Sequence, residues 1–257
     1  MDLERIKQVG TAAATTGGQI LRDHFGKLHS VRKKGAIDLV TEADTRAEAA
    51  IIATIHEAFP EHAILAEESG FRSGSGGRWI IDPLDGTTNF AHNLPIFCTS
   101  IAFAVDDELL AGFVLAPMLG ELFVGIRGQG AALNARPIFV STTATLSESL
   151  LVTGFPYDHA TIFEVAMGRF SRVLAAAQGL RRLGSAALDL CYVANGRFDG
   201  FWEQHLHPWD TAAGWLIASE AGARTTMFSG APYTIEKDEI VSTNGAVHDE
   251  LLTLLDQ

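Results

Sequence analysis

Apolar residues recur along this chain with two periods, and the switch between them organises the sequence. Leu3, Ile6, Val9, Ala13, Gly17, Ile20, Leu21 and Phe25 keep the three-to-four spacing of one helical face, which predicts an amphipathic helix over residues 2–25. Its stripe is rich in Ala and Gly, so a neighbouring element can approach closely. After a polar stretch at 26–37, Leu39 and Val40 close a short hairpin arm. Thr41 resembles an N-cap with an acid, Asp44, three residues on, and the helix it opens runs through Ile51, Ile55 and Ala58 to stop at Pro60. Beyond it the runs become short and continuously apolar. Residues 63–66 read as a strand ending at Glu67-Glu68-Ser69. Trp79-Ile80-Ile81 reads as a buried strand bounded by the Gly/Ser loop at 73–77 and by Pro83. The runs 97–105, 109–116 and 121–126, separated by Asp106-Asp107 and Met118-Leu119-Gly120, predict consecutive antiparallel strands.

In the remainder, helix and strand patterns alternate. Residues 161–178, 185–195 and 210–221 read as helices, with strands near 150–153, 180–182, 198–202, 223–226 and 239–242. The fold class expected is α+β for the first half and α/β layering for the second. A composition break at 141–147, STTATLS, divides an N-terminal half, 1–143, from a C-terminal half, 144–257, although the halves can share one packed body.

Composition narrows the function classes. With 257 residues and 47% hydrophobic content the chain can bury a large core. No apolar run reaches the roughly 18 residues of a membrane span, and MDLERIKQVG lacks the apolar stretch of a secretory signal, so a cytoplasmic protein is expected. Cys98 and Cys191 lie in apolar contexts without CxxC spacing and read as buried thiols. A net charge of −12 makes nucleic-acid binding an unlikely role, because that draws its affinity from Lys and Arg neutralising phosphates. An acidic protein can still take an anionic substrate if its carboxylates first collect divalent cations. None of the nine histidines has HxxxH or HExxH spacing; His205 and His207 flank a promising segment but read as shaping its loop, and His92 as structural. GQGAAL at 128–133 lacks the third glycine of a dinucleotide fingerprint and reads as a turn.

The candidate chemistry concentrates in WIIDPLDGTTNF at 79–90. Asp82 and Asp85 straddle Pro83 where a strand is expected to end, and the stiff backbone between them can hold both carboxylates towards one point. Gly86, Thr87, Thr88 and Asn89 follow with N–H groups and hydroxyls at a possible helix start, where anions are favoured. Taken alone each acid has a plain reading: Asp82 and Asp85 as turn residues, Asp44 as a first-turn acid, Glu67 as a strand-end acid, Asp210 as an N-cap.

Taken in order, DLVTEAD at 38–44, AEES at 66–69, DPLDGTTNF at 82–90, GSAA at 184–187, and Glu203 with WDTAAG at 209–214 resemble the inositol monophosphatase family of metal-dependent, lithium-sensitive phosphatases, a superfamily that also contains fructose-1,6-bisphosphatase and bisphosphate nucleotidase. The match covers most of the chain, and NFAHNLP at 89–95 looks more like the inositol monophosphatase branch than the nucleotidase branch. The resemblance implies the layered αβαβα sandwich of the sugar phosphatases, a homodimer, and two to three Mg²⁺ ions, with Mn²⁺ as a substitute. It implies that Glu67, Asp82 and the Leu84 carbonyl hold the first ion, that Asp82, Asp85 and Asp210 hold the second, and that Glu67 helps a weaker third. Asp44 and Thr87 with Glu67 would orient and deprotonate a water. Backbone N–H groups of Gly86 and Thr87, with Thr88 beside them, would cradle the phosphate. Ala186 and Glu203 would contact substrate hydroxyls, and Lys33 falls at a mobile-loop lysine of the family, beside Lys34. The implied activity is hydrolysis of a small sugar or polyol phosphate, inositol monophosphate first, by direct attack of water and without a phosphoenzyme. Fructose 1,6-bisphosphatase, histidinol phosphatase and nucleotide phosphatase activities stay open, as does a binding role in a transcription complex, with which some bacterial relatives are associated.

Overall fold

The computed structural model describes residues 2–27, 31–33, 39–155 and 162–256, and stacks them in five layers, helix, sheet, helix, sheet, helix. The first layer holds α1 (Leu3–His24) and α2 (Glu42–Ala58). Asp2 opens α1 by accepting the Arg5 N–H, and the helix buries Ile6, Gly10, Ala13, Ala14, Gly17, Gly18 and Leu21, the small-residue stripe expected of it. The expected hairpin arm is β1 (Val31–Lys33) paired antiparallel with β2 (Leu39–Thr41).

The second layer is an eight-stranded sheet made of β3 (Ala63–Ala66), β4 (Gly70–Arg72), β5 (Arg78–Asp85), β6 (Cys98–Val105), β7 (Glu108–Ala116), β8 (Glu121–Ile126), β9 (Gly130–Leu133) and β10 (Arg136–Ile138). Its order is β10-β9-β8-β7-β6-β5-β3-β4, with β3 and β5 parallel and the other neighbours antiparallel. One turn of helix, α3 (Thr87–Ala91), joins β5 to β6. The fourth layer is a five-stranded sheet, β12-β11-β13-β15-β14, built from β11 (Leu150–Thr153), β12 (Gly179–Arg181), β13 (Gly200–Gln204), β14 (Arg224–Thr226) and β15 (Glu239–Thr243). Between the sheets lie α5 (Ala186–Ala194) and α6 (Pro208–Glu220); α4 (Phe163–Ala176) and α7 (His248–Leu255) cover the far face.

The strands β3, β5, β6, β7 and β8 of the large sheet each serve two cores, as strands buried on both faces do. Trp79, Ile81, Ile101, Phe103 and Phe113 pack with Ile6, Ala13, Ile51 and Ile55 on the outer side. On the inner side Ile80, Cys98, Ala102, Val114 and Phe123 pack with Ala187, Leu190, Cys191, Leu216 and Ile217, and also with Val152, Phe201 and Ile240 of the small sheet. That inner core draws on both sides of the composition break. Among the described residues no helix is long and apolar enough to cross a membrane, and both cysteines are free and buried.

The structure departs from expectation at several places. The strand expected to end before Asp82 continues through Pro83 to Asp85, and α6 opens at Pro208 with Asp210 in its first turn, so Asp210 is not the N-cap; His207 is. Residues 127–129 form a turn, but 130–133 are β9 and not part of it. The edge strands β4 and β10 and the helix α7 were not anticipated: three-residue edges carry no periodicity, and α7 buries only three of its eight residues.

Trp79 is fully enclosed, with its indole N–H donated to His62 Nδ1 at 3.0 Å and its ring against Phe103. Trp79→Ala should lower unfolding stability by about 3–5 kcal/mol, the usual cost of deleting a buried aromatic ring. Denaturant melts checked by circular dichroism would measure it, and a loss below about 1 kcal/mol would contradict the packing described.

Candidate active site

In a regular strand residues three apart point to opposite faces, so Asp82 and Asp85 could not serve one site from an ideal β5. The register resolves this. Asp82 pairs with Ser100 and Asp85 with Cys98, so three steps on β5 match two on β6. The extra residue makes a bulge, a common place for a strand proline. Asp82, in phase with Ile80, faces the middle helical layer, and the bulge turns Asp85 to the same side, where its Oδ2 accepts Ser185 Oγ at 2.8 Å and the Ala187 N–H at 2.7 Å. Leu84 turns away into a small core with Leu21, Ala43, Ala47, Phe90 and Phe97.

The chain then reverses sharply at Gly86, whose φ of 98° is open to glycine at little cost and whose Cβ position would stand 3.0 Å from the Ile96 carbonyl. Thr87 begins α3; its hydroxyl donates to the Leu84 carbonyl at 3.0 Å and lies 3.4 Å from Asp44 Oδ1. From the middle layer α6 supplies Asp210, whose Oδ2 accepts the His207 N–H at 2.6 Å in a capping box. The small sheet supplies Glu203 from β13, and β3 delivers Glu67, whose own N–H bonds the Ile81 carbonyl.

These groups surround one cleft of ≈ 340 Å³. Glu67, Asp82, Leu84, Asp85, Gly86, Thr87, Ala186, Glu203 and Asp210 all line it. Asp44 is buried behind Thr87 and reaches the cleft through it. Thr88 stands on α3 outside the lining. Lys33 sits on β1, but its side chain, like all of Lys34, lies outside the described residues. Sequence reasoning missed Ser185, although GSAA was noted, and missed Arg182 and Phe155, which also line the cleft. It missed Glu48, a buried acid on α2 whose carboxylate accepts the Glu68 N–H at 2.8 Å and so anchors the segment that carries Glu67. Glu48 lies on the α2 face that buries Ala47 and Ile51, and an acid there was a visible anomaly.

Enclosure and mutual repulsion shift Asp82, Asp85, Glu203 and Asp210 in one direction. Burial raises the Asp82 carboxyl well above its ordinary value, and the neighbouring Glu67, Asp85 and Asp210 raise it further. Asp85 is raised by burial to about 6, against the opposing pull of the Ser185 and Ala187 donors. Asp210 is raised well above the usual range by burial despite its bond from His207, and Glu203 is pushed up to about 8 by burial, opposed by Arg182. No three His, Cys, Asp or Glu side chains among the described residues are drawn closely enough together to hold an ion as they stand. The donor set nonetheless fits a hard divalent cation: it is all oxygen, it is anionic, and its charges repel one another in an enclosed site that a cation would relieve.

The comparisons with known proteins agree with this geometry. The family model described as "Inositol monophosphatase family" matches residues 2–257. Inositol-1-monophosphatase of Synechocystis sp. is 46% identical over 253 residues, covering 97% of this chain and 88% of that protein. Nus factor SuhB of Pseudomonas aeruginosa is 41% identical over 261 residues, covering 98% of this chain and 96% of that protein. The solved structure of inositol monophosphatase from Anabaena (Nostoc) sp. superposes with a TM-score of 0.91 at 41% identity, covering 100% of this chain and 97% of that one. The layered fold and the acid-lined cleft define a phosphatase, a phosphoric monoester hydrolase. The chain belongs to the inositol monophosphatase family.

An acid held above its unfolded pKa stabilises the fold only while protonated. In the metal-free protein the contribution of Asp85 is fully present below about 3.8 and is lost as pH rises through about 6. In EDTA the denaturation midpoint should therefore fall between pH 4 and pH 7, and Asp85→Asn should flatten that fall and raise the midpoint at pH 7. A variant that is less stable than wild type at pH 7 in EDTA would refute the assigned repulsion.

Proposed function

We propose that the protein hydrolyses a small phosphorylated polyol or sugar, inositol monophosphate first, with Mg²⁺ as cofactor. The observation that carries this reading is the β5 bulge, which turns Asp82 and Asp85 to one side and so towards Asp210 and Glu67. Glu67, Asp82 and the Leu84 carbonyl would hold one ion, Asp82, Asp85 and Asp210 a second, and Glu67 would help a weaker third, with Mn²⁺ able to substitute. The four carboxylates bring four negative charges, which two Mg²⁺ would balance, and a phosphate adds roughly two more. Once bound, the cations would stabilise charge on the attacking and leaving oxygens, the central demand of a reaction this slow without a catalyst.

The protein's own groups would do the rest. Asp44, through the Thr87 hydroxyl and with Glu67, would orient a water and draw its proton. The N–H groups of Gly86 and Thr87, with Thr88 beside them, would receive the phosphate, and a glycine at 86 lets backbone approach it closely. Glu203 and Ala186, across the cleft, would contact the hydroxyls of the leaving alcohol. No nucleophile other than water is required by this arrangement. Lys33 would add a cation from the hairpin arm. The halves 1–143 and 144–257 would thus supply most of the ions' ligands and the alcohol's contacts respectively, meeting at Asp210. A homodimer in the cytoplasm is the expected working form.

Two measurements test the reading. Millimolar Mg²⁺ should raise the unfolding temperature, and calorimetry showing no shift would count against the metal assignment. Asp210→Asn should keep the fold but reduce Mg²⁺-dependent phosphate release by two orders of magnitude or more, the scale of removing one preorganised charge-stabilising group. A screen over inositol phosphates, fructose 1,6-bisphosphate, histidinol phosphate, NADP and 3′-phosphoadenosine 5′-phosphate, with lithium as inhibitor control, would name the substrate. Similarity to a protein named Nus factor SuhB supports a second reading, a binding role in a transcription complex. Recovery of polymerase subunits in a pull-down, together with negligible turnover, would put that reading first.

A further inference from the structure

Glu203, the acid assigned above to the leaving alcohol, is seated by a missing side chain. β11 and β13 run parallel, with Val152 beside Phe201 and Thr153 beside Trp202, so one step further on Gly154 stands beside Glu203. Val152 and Phe201 both face the middle helical layer, and by the alternation of a strand residues 154 and 203 fall on that same side. A Cβ on Gly154 would collide with Oε1, Oε2 and Cδ of Glu203. The carboxylate therefore leans sideways across the end of β11 and fills the space of its neighbour's side chain. Nothing in the backbone asks for glycine here, because the φ of Gly154 lies outside the left-handed region. The segment is also held on both sides: Thr153 Oγ1 donates to the Trp202 carbonyl at 2.7 Å, and the Phe155 ring packs against Phe170 with 5.8 Å between centroids.

A methyl group added at 154 would thus meet the free end of a flexible side chain beside two tied strands, and that side chain is what would move. Glu203 lines the cleft, so its displacement alters the wall that meets the alcohol. Hydrogen bonds from hydroxyls to a carboxylate weaken steeply once distance or angle is lost. We infer that Gly154 is a positioning residue: its bare backbone admits the Glu203 carboxylate, and this placement fits the cleft to the hydroxyls of a polyol. The inference rests on the reading of Glu203 as the alcohol's contact and deepens it by naming what sets its reach.

The test is a double-mutant cycle of Gly154→Ala and Glu203→Ala. Each protein is assayed with Mg²⁺ on inositol 1-phosphate and on phenyl phosphate, whose alcohol offers no further hydroxyl, and binding of inositol 1-phosphate is followed by calorimetry. Gly154→Ala should melt near wild type, raise KM for inositol 1-phosphate about tenfold with a smaller change in kcat, and leave kcat/KM for phenyl phosphate within about twofold, as expected for one lost charge-assisted hydrogen bond. In the Glu203→Ala background, where the carboxylate is gone, the added methyl group should change neither constant further. A merely structural role for Gly154 would lower both substrates together and would persist without Glu203. An unchanged KM for inositol 1-phosphate, equal losses on the two substrates, additive effects in the cycle, or a Gly154→Ala protein that melts well below its parent in both backgrounds would overturn the inference and leave the phosphatase reading standing. Coupled losses of inositol 1-phosphate binding without hydrolysis of either ester would do the reverse.

Discussion

Gathering carboxylates in an enclosed place is costly, and most of what is distinctive in this fold answers that cost. Two like charges about 4 Å apart repel by roughly 4 kcal/mol at an effective dielectric typical of sites near a protein surface, and burial adds to it. Asp82, Asp85 and Asp210 are held above their ordinary pKa values for these two reasons, burial first. The chain makes such a cluster tolerable by directing donors at one oxygen of each of three carboxylates. Asp82 Oδ1 accepts the Leu84 N–H, Asp85 Oδ2 accepts Ser185 and the Ala187 N–H, and Asp210 Oδ2 accepts the His207 N–H. Each bond orients a carboxylate as well as satisfying it. The repulsion that remains is a free energy that a bound dication would recover, which links the proposed cofactor to stability as well as to catalysis.

The second constraint is geometric. A sheet buried on both faces is the most rigid support this chain owns, but its alternation forbids adjacent site residues at odd spacings. The bulge at Asp82–Asp85 breaks that rule within β5, and the strand partner Ser100 ties the break to the middle layer by donating to the Trp209 carbonyl at 3.3 Å, one residue before Asp210. Asp85 is likewise tied to the start of α5. The two sides of the composition break are therefore joined by the hydrogen bonds of Asp85 as well as by the inner core.

Much of the architecture could be read from the residues. The period-3.6 stripe of α1 and the apolar runs of β6, β7 and β8 are strong because each element buries most of one or both faces. The edge strands β4 and β10 bury almost nothing and left no trace in the pattern. Pro83 misled in an instructive way: it signals the end of regular pairing, which is true, yet at a bulge the strand resumes beyond it. Likewise Asp210 looked like a cap because Asp opens many helices, whereas His207 and Pro208 take the first positions and leave Asp210 in the first turn. The ordered motifs named the acids that line the cleft. They did not disclose Ser185 or Glu48, whose work is to hold those acids, because a supporting side chain is recognisable only once the oxygen it serves has been placed.

The same distinction separates the two walls of the cleft. On the side of Gly86 and Thr87 every group is fixed by the sheet or by a bond to it, and the chemistry there suits any phosphate ester. On the other side Glu203 comes from a strand and Ala186 from the start of a helix that also carries Asp189, behind the lining of the cleft. Asp189 keeps one carboxylate oxygen without a partner although it is buried, a condition that structures seldom tolerate without a reason. The phosphate wall can be common to many phosphatases of this fold, while contacts to the alcohol would fall to the wall that carries Glu203 and Ala186.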